Sequence, residues 1–93
     1  MNTSWHTGVT SHQVDLQRGN GETVADFLAR HAAACRSEGS GATTPDDTVI
    51  TSWFSGVTPY NVVNTPTNGE TSDQFWGRHL PQVRAAASQH QPD

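Results

Sequence analysis

The stretch TSWHTGVT at residues 3–10 returns, with two replacements, as TSWFSGVT at residues 51–58. Aligning Thr3 with Thr51 matches the two stretches and extends the similarity without a gap. When residues 1–45 are compared with residues 49–93, sixteen of the forty-five positions are identical. Self-similarity at a period of about 20–50 residues is typical of supersecondary units that bury their apolar faces only against one another. The sequence therefore predicts two copies of one small unit that pack as a closed pair, and we call positions matched by this alignment equivalent.

Each copy begins with a predicted β-hairpin. The pairs Thr-Gly at 7–8 and Ser-Gly at 55–56 interrupt β-rich runs, and a small residue before glycine suits a two-residue hairpin turn. That turn pairs Trp5 with Thr10; a longer loop over residues 7–11 is the alternative. Alternation with a period of two then places one set of side chains on the face that meets the helices. This set is Trp5, Thr10, His12, Val14 and Leu16 in the first copy, and Val49, Trp53, Thr58, Tyr60 and Val62 in the second.

A helix follows each hairpin. The repeated NGET at 20–23 and 68–71 combines an Asn-Gly turn with a threonine that can cap a helix through its hydroxyl. Apolar residues then recur at helical spacing and predict an amphipathic stripe. Pro81 is expected to interrupt and kink the second helix. The stripe is Val24, Phe27, Leu28, His31 and Cys35 in helix one, and Phe75, Trp76, His79, Leu80 and Val83 in helix two.

These patterns predict one α+β domain over residues 1–93. Repeat 1 covers residues 1–38, a Gly/Ser-rich linker covers 39–47, repeat 2 covers 48–88, and residues 89–93 form a disordered tail. The tandem ββα repeats are expected to form one four-stranded antiparallel sheet with two helices on one face. Prolines belong on sheet edges. Pro59 and Pro66 therefore place the second hairpin's last strand outside and give the order 2-1-3-4.

Composition restricts the function classes. The chain has no lysine, and five arginines face nine acidic residues for a net charge of −4, which disfavours nucleic-acid binding. No apolar run approaches the roughly 20 residues of a membrane span, and the N-terminus lacks the pattern of a signal peptide. The single Cys35 is expected to be an inert core thiol. A cytoplasmic protein without a membrane partner is the resulting expectation.

The pairs Arg30-His31 and Arg78-His79 recur in both copies and are the polar residues most suggestive of a site. Both histidines lie on apolar stripes without the ligand spacing of a zinc site, so we expect them to bond to sheet threonines. The arginines are expected to form ion pairs across the repeats with Glu22 and Glu70. No metal site, cofactor or catalytic motif is predicted. The alternative interpretation is a small ligand-binding protein or enzyme. Its site would lie on the pseudo-two-fold axis and consist of these two arginines and two histidines.

The outer face of the sheet differs between the two copies. The first copy is mostly polar there, whereas the second carries Ile50, Phe54, Val57 and Val63. An exposed apolar patch of a few hundred Å² indicates an interaction site. The alternative is that the tail, the linker or a shifted register covers it. The sequence thus favours a non-enzymatic binding or assembly module that acts through this face, with a homodimer or another protein as its partner.

Overall fold

The computed structural model describes residues 1–39 and 44–93; residues 40–43 of the predicted linker lie outside the described residues. Six elements follow one another: β1 (Asn2–Thr7), β2 (Thr10–Asp15), α1 (Val24–Gly39), β3 (Val49–Ser55), β4 (Thr58–Asn64) and α2 (Ser72–Gln89). The four strands form one sheet in the order β2-β1-β3-β4, and neighbouring strands are antiparallel. The predicted α+β class and strand order are confirmed.

The hairpin turns lie one residue later than predicted. Thr7 pairs with Thr10, so the two turn residues are Gly8 and Val9 rather than Thr7 and Gly8. Gly8 has a φ of 61° and Val9 has no positive φ, which is the pattern of a type II′ turn. The second hairpin has the same arrangement at positions 56 and 57, where Gly56 has a φ of 63°.

This correction changes the partners of the strand residues but not their faces. Trp5 lies opposite His12 instead of Thr10, a shift of two positions. Because side chains alternate with a period of two, a shift of two keeps each one on its predicted side. Trp5, Val14 and Trp53 are accordingly buried under the helices, whereas His6 is exposed on the opposite face.

Only three residue pairs join β1 to β3, from Asn2↔Ser52 to Ser4↔Ile50, and we call this junction between the two hairpins the seam. The helices compensate for the short seam by packing across it. Trp5 of the first hairpin meets Trp76 of α2 edge-on, with ring centroids 4.9 Å apart. The core forms two clusters, and each combines residues from both halves of the chain. One contains Trp5, Val14, Cys35, Val49, Phe75, Trp76 and Leu80, and the other Met1, Phe27, Leu28, Trp53, Val83 and Ala87.

Both helices begin at the predicted threonine. The hydroxyl of Thr23 accepts the backbone N–H of Asp26 at 3.1 Å. Thr71 accepts the N–H of Gln74 at 3.1 Å, and the side chain of Gln74 accepts the N–H of Thr71 at 3.0 Å, which completes a capping box. Helix α2 continues through Pro81 to Gln89.

The segments that follow the two helices return to the hairpin turns. Asp46 donates its backbone N–H to the carbonyl of His6 at 2.9 Å, and its carboxylate accepts the N–H of Gly8. Asp93 makes the same two bonds in the second hairpin, to Phe54 at 3.1 Å and from Gly56 at 2.7 Å. Residues 89–93, for which the sequence predicts disorder, thus contact the second hairpin.

We expect that the first half of the chain does not fold alone. In a fragment of residues 1–44, Trp5 would lose Trp76, and Phe27 would lose Trp53 and Val83. A single hairpin with one helix buries too little apolar surface to offset its conformational entropy. Thermal melts followed by circular dichroism should show no cooperative transition for the fragment. A sharp transition in the monomeric fragment would contradict this prediction.

Gly39 is required by the ring beside it. A Cβ at this position would lie 2.9 Å from Nε1 of Trp76, closer than a rigid buried indole permits. Gly39→Ala should therefore lower the free energy of unfolding by about 1–3 kcal/mol, as overpacked cores do. Urea denaturation measures the effect. In a Trp76→Phe background the same substitution should cost much less; an equal cost in both backgrounds would show that the indole is not the cause.

Candidate functional site

A chain of four buried polar side chains crosses the seam between β1 and β3. The hydroxyls of Thr3 and Thr51 lie 2.7 Å apart. Each hydroxyl also bonds to Nε2 of one histidine, at 2.9 Å for His31 and 2.8 Å for His79. None of the four residues is more than 1% exposed. The contact expected between the histidines and the sheet threonines is therefore present, and we call these four residues the axial network.

The two ends of the axial network differ. Arg78 donates to Oδ1 of Asn64 at 3.2 Å, which turns the Asn64 NH₂ group toward Nδ1 of His79 at 2.9 Å. His79 consequently accepts at Nδ1 and carries its proton on Nε2, where it donates to Thr51. In the first copy the position equivalent to Asn64 is occupied by Leu16, which offers no such group. Nδ1 of His31 is buried and has no hydrogen-bond partner among the described residues.

Burial keeps both histidines neutral. Loss of solvation lowers the pKa of His31 to about 4, and the positive charges of the N-terminus and Arg30 act in the same direction. Loss of solvation and Arg78 likewise lower the pKa of His79 to about 4. Burial also raises the pKa of the Cys35 thiol to about 11, so this thiol is not a nucleophile at neutral pH.

The arginines do not join the histidines, and the predicted cross-repeat ion pairs are wrong. Arg30 pairs with Glu22, and Arg78 pairs with Glu70, each at 2.9 Å and each within one copy. Each glutamate lies shortly before its arginine, in the turn that leads into the helix, so its carboxylate reaches the guanidinium directly. Nε and Nη2 of each arginine both bond this carboxylate, forming a fork.

Further contacts hold each fork in place. The Nη2 group of Arg30 also donates to the carbonyl of Gln17, at 2.6 Å, and that of Arg78 to the carbonyl of Thr65, at 3.0 Å. Each guanidinium lies 5.3 Å from the ring centre of the phenylalanine three residues earlier. The bonds to arginine lower the pKa of Glu22 and Glu70 to about 2. These arginines stabilise the turns that precede the two helices. Of the residues predicted for the alternative axial site, the structure therefore places the two histidines on the axis but not the two arginines.

The outer face of the second hairpin carries three of the four predicted contact residues. Ile50 lies opposite Val63 and is 40% exposed, Val63 is 50% exposed, and Phe54, opposite Pro59, is 59% exposed. Val57 belongs to the turn beyond the strands and is 95% exposed. We call Ile50, Phe54, Pro59 and Val63 the outer patch.

A polar row divides the outer patch. Ser52 and Asn61 lie opposite each other between the Ile50 row and the Phe54 row. None of these six residues is charged. The tail bonds the backbone of Phe54 and Gly56, and Pro92 and Asp93 border a hollow beside the patch, but the Phe54 side chain stays exposed. An uncharged exposed face of this kind can bind a partner surface, and its six residues carry no carboxyl, imidazole or thiol group.

The sequence comparison missed the Pro-Asp pairs at 45–46 and 92–93. In both pairs the proline is buried and the aspartate bonds a hairpin turn. The ungapped alignment places Pro45 against Asp93, so the second pair is out of step with the first by one position. A search for short matches that allows one gap would have found them.

The axial network makes stability depend on pH. An unfolded histidine binds a proton below about pH 6.5, whereas the folded ones stay neutral until about pH 4. The free energy of unfolding should therefore fall between pH 6.5 and pH 4, by up to about 1.4 kcal/mol per pH unit for each histidine. Urea denaturation at pH 7, 6 and 5 measures this loss.

The variant His31→Gln separates the two histidines. At pH 7 it should lower stability by about 1 kcal/mol, the usual contribution of a buried hydrogen bond. Its pH dependence between 7 and 5 should be about half that of the unchanged protein, because one titrating group is gone. Equal stability of the unchanged protein at pH 7 and pH 5 would contradict the role assigned to the network.

The described residues contain neither a candidate metal-binding cluster nor a candidate membrane-spanning helix. No group of three or more His, Cys, Asp or Glu side chains there could hold a metal ion. Neither helix in those ranges is long and apolar enough to cross a membrane. Comparison with known proteins also finds no match among family models, curated proteins or solved structures.

Proposed function

We propose that this protein is a non-enzymatic assembly module in which one molecule binds another molecule of the same protein through the outer patch. The observation that carries the proposal is the exposure of Ile50, Phe54 and Val63 on one uncovered side of the sheet. Large apolar side chains grouped in this way are uncommon on monomers and favour an interaction site. Burying a phenylalanine side chain alone contributes about 1.5–3 kcal/mol.

The net charge of the chain supports a second molecule of the same protein as the partner. The chain carries a net charge of −4, so most of its surface repels another copy. The outer patch and the Ser52–Asn61 row between its halves contain no charge, so two molecules can bring these residues together although Asp15 and Asp93 border the hollow beside them. A two-fold contact also needs only one such patch on each chain.

The centre of the contact follows from the layout of the patch. Two apolar rows lie on either side of Ser52 and Asn61. A two-fold axis through this polar row places the apolar rows of one molecule against the apolar rows of the other. It also brings Ser52 and Asn61 toward their own counterparts, where their side chains can form hydrogen bonds across the interface. A partner of another kind, including a different protein, is an outcome that the experiment below separates.

Other functions have less support. A ligand or enzyme site on the axis would use the axial network, whose four residues are at most 1% exposed and therefore out of reach of a substrate. Nucleic-acid binding is disfavoured because the chain has no lysine, and Arg30 and Arg78 are held in ion pairs. The expectation of a cytoplasmic location remains part of this proposal.

A charge at position 54 tests the proposal. Phe54→Asp should convert the dimer into a monomer, because the carboxylate loses the apolar contact and would have to shed its water. The mass of the purified protein in solution, measured by light scattering across a range of concentrations, reports the change. Thermal melts should show that the variant stays folded, since the Phe54 side chain lies outside the core.

His6→Asp is the matched control. His6 occupies the position equivalent to Phe54 in the first copy and lies on the same side of the sheet, in its polar half. This variant should keep the mass of the unchanged protein. A monomeric mass for the unchanged protein at all concentrations would exclude self-association, and an unfolded Phe54→Asp monomer would show that Phe54 supports the core instead.

A further inference from the structure

A groove runs along the helices where α1 begins and α2 ends, on the side of the sheet opposite the outer patch. Its volume is about 420 Å³, within the range of roughly 300–1,000 Å³ that small-molecule sites occupy. The first turns of α1 supply an apolar wall, and the last turns of α2 supply polar groups. The main lining residues are Val24, Ala25, Leu28, Ala29, Arg84 and Ser88.

Equivalent positions in the two copies explain why the groove is open. Leu28 corresponds to Trp76, and Ala87 corresponds to Gly39. At the other end of the helix pair, Trp76 is 2% exposed, and its indole lies so close to Gly39 that a Cβ there would be 2.9 Å from Nε1. At this end the smaller Leu28 packs with Ala87 in the core and leaves the space above it unfilled. The described residues thus place an indole at one end of the helix pair and a groove above Leu28 at the other.

The groove also contains a charge without a partner. Among the described residues, Arg84 is the one charged side chain that lines it. Unlike Arg30 and Arg78, it has no acidic group within ion-pair distance among the described residues. Guanidinium groups bind carboxylates through two parallel hydrogen bonds and also stack on aromatic rings. The ligand should therefore be anionic at one end and flat and apolar at the other.

We propose that this groove binds a small aromatic carboxylate. The ring lies on Leu28 between Ala25 and Ala29. The carboxylate lies on the guanidinium of Arg84. The site does not depend on the proposed assembly, because no residue of the outer patch lines the groove.

The test uses the full chain and indole-3-acetate as the probe. Amide chemical shifts in ¹H–¹⁵N spectra should change for residues 24–29 and 84–88 as the probe is added. Arg84→Gln should weaken binding at least about tenfold, the equivalent of one charge-assisted contact of about 1.4 kcal/mol. Indole, which has the ring without the carboxylate, should bind more weakly to the unchanged protein and equally well to Arg84→Gln.

Two further variants make the outcome decisive. Arg36→Gln changes the arginine equivalent to Arg84, at the end that Trp76 already fills, and should leave binding unchanged. The double variant Leu28→Trp with Ala87→Gly copies the filled arrangement, so it should stay folded and lose binding. The proposal is overturned if the probe shifts no residue of the groove, if Arg36→Gln weakens binding as much as Arg84→Gln, or if a folded double variant still binds.

Discussion

The short seam between β1 and β3 is the constraint on which the rest of the structure depends. Three residue pairs cannot hold two hairpins together, so the hydroxyls of Thr3 and Thr51 extend the seam into the core through His31 and His79. Apolar packing alone tolerates small slips, whereas a slip here would leave buried hydroxyls and imidazoles without partners, at a cost of about 1–3 kcal/mol each. The axial network therefore fixes how the two halves meet, and the helices that cross the seam supply most of the apolar burial.

The two halves share this frame and differ in what they present to solvent. Thr3, His31, Glu22 and Arg30 have identical residues at the equivalent positions of the second copy, and these make the same bonds. Differences at other positions have local consequences. Asn64 in place of Leu16 completes the hydrogen bonds of one histidine, Trp76 in place of Leu28 packs an indole against Gly39, and Phe54 in place of His6 adds an exposed apolar side chain to the outer face of the sheet.

The features that follow from periodicity alone could be predicted from the sequence. Alternation and helical spacing assign side chains to faces even where their exact partners are unknown, which is why the buried face of Trp5 and Trp53 was predicted correctly. The strand order was predicted correctly because prolines favour sheet edges. The turn was displaced by one residue because its position depends on which residue takes the positive φ. The ion pairs were wrong because symmetry suggested contacts across the axis, whereas each glutamate is close to its arginine along the chain. The groove beside Leu28 depends on a difference in side-chain volume within the packed structure, which the alignment does not measure.

The positions of the candidate surfaces favour binding over catalysis. Of the five histidines, His31 and His79 are enclosed in the core with the Cys35 thiol, and burial keeps these three groups in their uncharged forms. The two candidate surfaces are an uncharged patch on one side of the sheet and a groove with an arginine on the other. They are nevertheless joined through the core, because Leu28 beneath the groove packs in the same cluster as Trp53, whose neighbour in the strand is Phe54. The groove and the outer patch thus share a core cluster but no lining residue.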